Sequence, residues 1–385
     1  MTLRDVLLQH RIVVCVGSGG VGKTTTSAAL SVRAAMHGKR VVCLTIDPAR
    51  RLANSLGLTE MRTAVQEVPQ SLFHGQGLEC SGKLFAMMLD TKGTFDELVA
   101  EHAPSIEVKN RILSNRLYQY VSSSLAGTQE YMAMEKLYAV RQDPQWELIV
   151  LDTPPTGNAL NFLEAPEKLV GLVDSPALRW FMQAFESAGK RSLNVVGRGA
   201  AFLFRGLSRF TGAAFLEQVA AFVTDLNALF GGFRDRAQQV EAILRSPEVA
   251  FVVVTSPHPL AMHEAIYLHK KLSASGIAVR AIVVNNVHTV PTEPHATTAE
   301  LEALAKDVLP NGIDPRRAVD KMRRAFDEAV LRGKADQRAT VRLTEQVRES
   351  GPMPLPFIVV PAFDEDVHDL EGLARVSTHL VQHLS

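Results

Sequence analysis

The chain has 385 residues, enough for two or three domains at about 150 residues each, although α/β folds often run longer as one. Apolar residues make up 46% and charged residues 21%, which excludes wholesale disorder. Lysine and arginine number 41 and are matched by 41 acidic residues, which excludes a globally basic nucleic-acid binder, and no nucleic-acid partner is expected. Three cysteines, Cys15, Cys43 and Cys80, are too few and too far apart for a disulfide framework or a CxxC zinc site. The segment Met1–Gln9 carries Arg4 and Asp5 and lacks the pattern of a signal peptide. No uncharged apolar stretch of about 18 residues is present, so a cytoplasmic protein is expected.

Seven short apolar runs read as strands, with helical patterns between them. In chain order, Arg11–Val16 precedes a helical pattern over Thr24–His37, followed by Arg40–Ile46 and Leu84–Asp90. Thr91–Pro144 is too long for a crossover and reads as a helical insertion. Glu147–Asp152 follows, then a second long helical spacer, Ala165–Ser246. Val249–Thr255, a helix over Pro259–Ser275 and Val279–Asn285 resume the alternation. The charged spacer Thr289–Pro354 holds Pro291, Pro294, Pro310 and Pro315 and reads as a loop followed by solvated helices, before Phe357–Pro361. Several runs are continuous in Val and Ile, as strands buried on both faces of a parallel sheet are. The expected fold is α/β, a doubly wound, mainly parallel sheet with an inserted α-helical subdomain. Core segments are expected over 1–90, 145–164 and 247–385, with insertions over 91–144 and 165–246.

The sharpest motif is Gly17-Ser18-Gly19-Gly20-Val21-Gly22-Lys23-Thr24, which fits G-x-x-x-x-G-K-[ST] and lies between a strand and a helix. Glycines let backbone N–H groups turn inward around phosphate oxygens. The following helix points its positive end at the anion. Lys23 is placed to reach β and γ phosphates, and Thr24, followed by Thr25, to meet a magnesium ion. These features mark a P-loop that takes the phosphates of a nucleotide together with Mg2+.

Leu148–Asp152 reads as the strand that delivers a metal-facing carboxylate, Asp152, at the sheet's carboxyl edge. The rigid turn Thr153-Pro154-Pro155-Thr156-Gly157-Asn158 follows and could sense the γ phosphate. Asp47, in Thr45-Ile46-Asp47-Pro48-Ala49-Arg50, reaches the same edge from the neighbouring run. It could cap the next helix or orient the attacking water. Phosphoryl transfer needs positioning more than covalent chemistry, so a carboxylate holding water suffices.

With these segments in view, the chain resembles the ArsA/Get family, which comprises arsenite-pump ATPases and ATPases that target tail-anchored membrane proteins. The resemblance rests on the Gly-rich loop, the Asp47-Pro48-Ala49 turn and the Asp152–Gly157 turn. It extends to Val283-Val284-Asn285-Asn286, where the family uses an asparagine to read adenine. It also reaches Pro361–Gly372, similar to the family's adenine-side loop and including Pro361 and Phe363. The resemblance implies a magnesium-dependent ATPase dimer whose closing and opening are coupled to a client site.

The chain departs from the family pattern at three places. Family members usually carry a lysine where Ser18 stands, and that lysine crosses the dimer interface to the partner's phosphates. Serine cannot supply such a charge. Three readings stay open: a slow homodimer, substitution by Arg50 or Arg51, or a heterodimer with a lysine-bearing paralogue. The turn after Asp152 usually carries a histidine where Asn158 stands. Finally, arsenite is held by thiolates, and the insertions contain no cysteine cluster.

The segment 165–245 holds nine of the chain's 17 phenylalanines. Within it, 187–216 has no acid, and Arg191, Arg198, Arg205 and Arg209 fall within about 40° of one another at 100° per residue. The opposite side is apolar. This pattern suits a lid over a hydrophobic client segment, a helix lying on an anionic membrane surface, or a plain helical layer. Tyr131, Met132 and Met134 pose the same choice between groove and core. His258, His263 and His269 are spaced by five and six residues, and no metal site is expected from them. Expected partners are therefore a second ATPase subunit and a hydrophobic client or membrane protein, with the inner membrane face as an alternative location. An anion-pump subunit and a slow partitioning-type switch are the rival readings.

Overall fold

A computed structural model describes residues 2–46, 51–124, 128–153, 218–219, 222, 224–225, 230–293, 296–310, 312–349 and 355–381. Asp47, the turn 154–158 and the basic pattern over 187–216 lie outside the described residues.

Among the described residues, eight strands form one sheet. They are β1 (Ile12–Val16), β2 (Arg40–Thr45), β3 (Gln66–Glu67), β4 (Lys83–Met88), β5 (Leu148–Asp152), β6 (Val249–Thr255), β7 (Val279–Val287) and β8 (Phe357–Pro361). Their order is β3-β4-β2-β5-β1-β6-β7-β8. All neighbours are parallel except β3, which pairs antiparallel with β4 at the edge. All seven expected runs are strands, two of them with the expected ends and the others with ends shifted by one or two residues. The two-residue β3 has no apolar run to announce it. Every residue of β1, β5 and β6 is buried, as a strand covered on both faces requires.

Alternate residues of β1 serve opposite faces. Ile12, Val14 and Val16 join a core layer with Tyr131, Met132 and Met134, none of which is exposed. These three come from α8 (Thr128–Gln142), so they are packed interior residues. The layer also takes in α5 (Thr91–His102), α6 (Ile106–Ser114), α7 (Arg116–Ser124), α9 (Phe230–Leu244) and α10 (Pro259–Ala274). Val13 and Cys15 point the other way, into a layer with α1 (Leu3–Gln9), α2 (Lys23–Met36) and α13 (Leu370–Val381). The short α3 (Arg51–Ser55) and α4 (Gln70–His74) flank that layer.

A partly buried polar network joins the helices on the first face. Arg236 of α9 bridges Glu135 of α8 at 3.1 Å and Glu101 of α5 at 3.0 Å. The Tyr131 hydroxyl donates to Glu135 at 2.7 Å. Burial raises the Glu135 carboxyl above the usual carboxylate range, against the pull of these partners.

The charged spacer forms α11 (Thr298–Val308) and α12 (Pro315–Arg348). A capping box joins Thr297 and Glu300 at the start of α11. Asp314 caps α12, and Pro315 takes its first position. No described helix is long and apolar enough to cross a membrane.

Candidate nucleotide site

Strand order places the site. β1 is central, and the chain proceeds from it to β2 on one side and later to β6 on the other, so a crevice opens at its carboxyl end. Because β5 lies between β1 and β2, Asp152 is in register with both Cys15 and Thr45. The strand that carries the carboxylate thus ends beside the loop from β1 and the tip of β2.

The loop's glycines are required by close approach. A Cβ on Gly17 would lie 2.0 Å from the Val254 carbonyl oxygen, so β1 can leave the sheet beside β6 only with glycine there. Gly22 has φ +92° and a Cβ there would lie 2.1 Å from the Asn285 amide nitrogen. From Gly22, α2 begins with Lys23, which is buried and donates to the Ser18 carbonyl at 2.8 Å. The Ser18 hydroxyl is enclosed and has no hydrogen-bond partner among the described residues.

Asp152 is fully buried. Its Oδ2 accepts from the Thr24 hydroxyl at 2.7 Å and from the Thr45 hydroxyl at 3.0 Å. Two hydroxyl donors offset part of the cost of burying a carboxylate. A hydroxyl and a carboxylate side by side, next to a phosphate loop, form a hard oxygen donor set that suits magnesium.

A cavity of about 640 Å³ lies above the loop, within the range of nucleotide-sized sites. Gly20, Val21, Gly22, Lys23, Thr24 and Thr25 form one wall. Asn285, Pro361 and Phe363 form another, so nine residues singled out in the sequence meet around one space. Gly17 and Gly19 are not among its lining residues, and Asp152 meets it through Thr24.

Asn285 also braces the loop: its side-chain amide donates to the Val21 carbonyl at 3.0 Å. An amide has a second donor and an acceptor, so capacity remains for a ligand. Asn286 follows with φ +61°, and Val287 accepts from the Ala362 amide at 2.9 Å. This pairing ties the end of β7 to the loop after β8. The Arg375 guanidinium of α13 stacks 4.8 Å from the ring centroid of Phe363, which lies in that loop.

Sequence reasoning missed Thr45, although it is the residue just before Ile46-Asp47. It also missed Asn54, Ser55 and Ser256, and did not single out Thr153, Asn286 or residues 365–368 within their segments, all on the cavity wall. Residues 365–368 were visible as part of the resemblance. Thr45, Thr153 and Asn286 stand inside segments the motifs had marked, whereas Asn54, Ser55 and Ser256 are ordinary polar residues with no spacing signal.

Cys15 and Cys43 are fully buried on β1 and β2. Burial pushes the Cys15 thiol up to about 12 and the Cys43 thiol higher still. Both are core thiols with no thiolate character near neutral pH.

This sheet, with its phosphate loop at the switch point, defines a P-loop nucleotide hydrolase. A family model described as anion-transporting ATPase matches residues 10–308. Among curated proteins, the chain is 27% identical over 288 residues to "ATPase GET3" of Podospora anserina, covering 74% of this chain and 76% of that one. It is 27% identical over 290 residues to "ATPase GET3" of Phaeosphaeria nodorum, covering 74% and 80%. It is 27% identical over 294 residues to "ATPase ASNA1 homolog 1" of Paramecium tetraurelia, covering 74% and 78%. The chain belongs to the anion-transporting (ArsA) ATPase family and is an ATP-hydrolysing enzyme.

Proposed function

We propose that the chain hydrolyses ATP to ADP and phosphate with magnesium, as a dimer whose closing is coupled to binding a hydrophobic client segment or a membrane partner. The observation that carries this reading is the single cavity walled by the phosphate loop, Asn285 and the loop from Pro361. In this reading the backbone of Gly19–Thr24 and the Lys23 ammonium hold the phosphates. To do so, Lys23 exchanges the Ser18 carbonyl for phosphate oxygen. Thr24, with Asp152 behind it, would hold the metal, which when bound neutralises charge developing on the phosphoryl oxygens. Asp47 orients the attacking water, Asn285 reads adenine, and Pro361 and Phe363 cover the base. The core segments 1–90, 145–164 and 247–385 form the hydrolase, and the helical segments 91–144 and 165–246 the client side.

Targeting of an apolar segment fits this chain better than thiolate-based pumping. Cys15 and Cys43 are core thiols, and Cys80 is half-buried with its thiol 3.7 Å from the Gly82 carbonyl. The test is magnesium-dependent phosphate release by purified protein beside an Asp47→Asn variant, with capture on an immobilised apolar helix. Turnover lost in the variant, with capture that depends on ATP, is expected. Stimulation by arsenite or antimonite without capture would replace the client reading with the pump. Tight ATP binding without turnover would direct the search to a lysine-bearing partner subunit for Ser18.

A further inference from the structure

The sheet is irregular beside the cavity. Val284 pairs with Val359 and Val287 with Pro361, so Asn285 and Asn286 together oppose Val360. That is a bulge, two residues of one strand against one of its neighbour. Asn286 takes φ +61° there, a left-handed conformation that is costly for a residue with a side chain. Such a conformation persists only where its surroundings over-determine it, and it gathers at ligand sites. Asn285 and Asn286 both line the cavity.

The bulge is held from both ends. At one end the Asn285 amide donates to the Val21 carbonyl at 3.0 Å. A carbonyl oxygen only accepts, so the amide nitrogen must face it and the flip of the amide is fixed. At the other end α12 grips the residues that follow Val287. Asp336 Oδ2 accepts from the His288 backbone amide at 2.9 Å and pairs with the ring Nδ1 at 2.7 Å. One turn earlier on α12, a Cβ on Gly333 would lie 2.8 Å from the Val290 amide nitrogen and 2.9 Å from the Thr289 carbonyl. The helix therefore lies directly on this backbone, an approach that only glycine permits. Further along, Leu343 and Val347 fix α12 in the first core layer, so the grip stands on a rigid base. All of α12 lies beyond residues 10–308, where the family model matches.

We infer that Gly333 and Asp336 are positioning residues for the nucleotide base, holding Asn285 in one place and one flip through the bulge. The inference rests on the reading of Asn285 as the adenine contact. With one N–H committed to Val21, Asn285 keeps one N–H and its oxygen, a donor and an acceptor that match an adenine edge. Hypoxanthine carries a carbonyl where adenine carries its amino group, which puts an acceptor against the amide oxygen. An amide free to shift or flip can follow that change, and a clamped one cannot. The clamp thus selects adenine nucleotides over those whose purine has a carbonyl in place of the amino group.

Calorimetric titration of the full chain with ADP and with inosine diphosphate tests this without needing turnover. The wild type is expected to bind ADP at least about tenfold more tightly than inosine diphosphate. Asp336→Ala should weaken ADP about tenfold and inosine diphosphate less than about threefold, so the preference collapses. Gly333→Ala should act in the same direction. Asp336→Asn keeps an oxygen for the His288 amide and should stay within about threefold of the wild type for both ligands. Partial loss of the fold would lower the binding stoichiometry for both ligands and leave their affinity ratio unchanged, so the ratio reports positioning. A wild type without preference, or a preference that survives Asn285→Ala, overturns the adenine reading and the clamp with it. A preference abolished by Asn285→Ala but kept by both Asp336→Ala and Gly333→Ala overturns the clamp alone.

Discussion

Strand β5 and helix α12 are opposite ways of placing a chain in water. β5 is five residues, all buried, with neighbours on both edges and both faces. α12 is 34 residues, of which only Val319, Gly333, Leu343 and Val347 are buried. Burial on β5 is dense enough to hold a carboxylate, Asp152, in a fixed place between two hydroxyls. α12 gives up such precision for reach. Chemistry belongs at the first, where positions are over-determined.

The widest separation should appear in activity. Lys23→Ala should lower kcat/KM for ATP by about 10³-fold or more, because a positioned charge at the transition state is lost. Phosphate release measured beside an unchanged urea midpoint checks it. Unimpaired turnover would break the assignment of chemistry to the buried end.

Stability separates the regions next. Leu151→Ala, on β5, should cost about 3–5 kcal/mol by urea denaturation. Leu331→Ala, 69% exposed on α12, should stay within about 0.5 kcal/mol. Similar costs at the two positions would mean that α12 is covered.

Between those extremes lies the buried ion network. Arg236→Ala strips Glu135, whose side chain is only 2% exposed, of its cation and should cost about 3 kcal/mol. Arg236→Met with Glu135→Leu should recover most of it. Urea denaturation of the three proteins decides whether the network stabilises or only compensates for its own burial.

The smallest effect concerns pH. Burial, and then the positive charge of Lys270, lower the pKa of His269. The unfolded chain binds this proton near the ordinary value of about 6.5 and the folded chain resists it. The stability from neutral His269 is therefore present above about 6.5 and lost as pH falls from there toward the lowered folded value. His269→Leu should flatten the decline in the urea midpoint between neutral and mildly acidic buffer.

Local pattern determined much of this protein. Continuous Val and Ile runs give strands covered on both faces, because a residue that alternates sides must find apolar cover on each. The run from Gly17 to Thr24 gives the phosphate loop, because only glycines let the backbone turn that tightly. Prolines and dense charge mark 289–354 as a loop with solvated helices, which holds for most of α11 and α12 but not for Leu343 and Val347, which enter the core. What tertiary structure decided is adjacency. Thr45 reaches Asp152 because β5 is threaded between β1 and β2. Asn285 braces Val21 because β7 ends one strand beyond β6. Arg236 meets Glu135 and Glu101 across more than a hundred residues of sequence. Tyr131, Met132 and Met134 became core once α8 was laid on the sheet. Helical and strand periods are short-range properties of the chain and can be read along it. Strand order and helix docking arise from the whole set of surfaces buried together, and no single segment carries them.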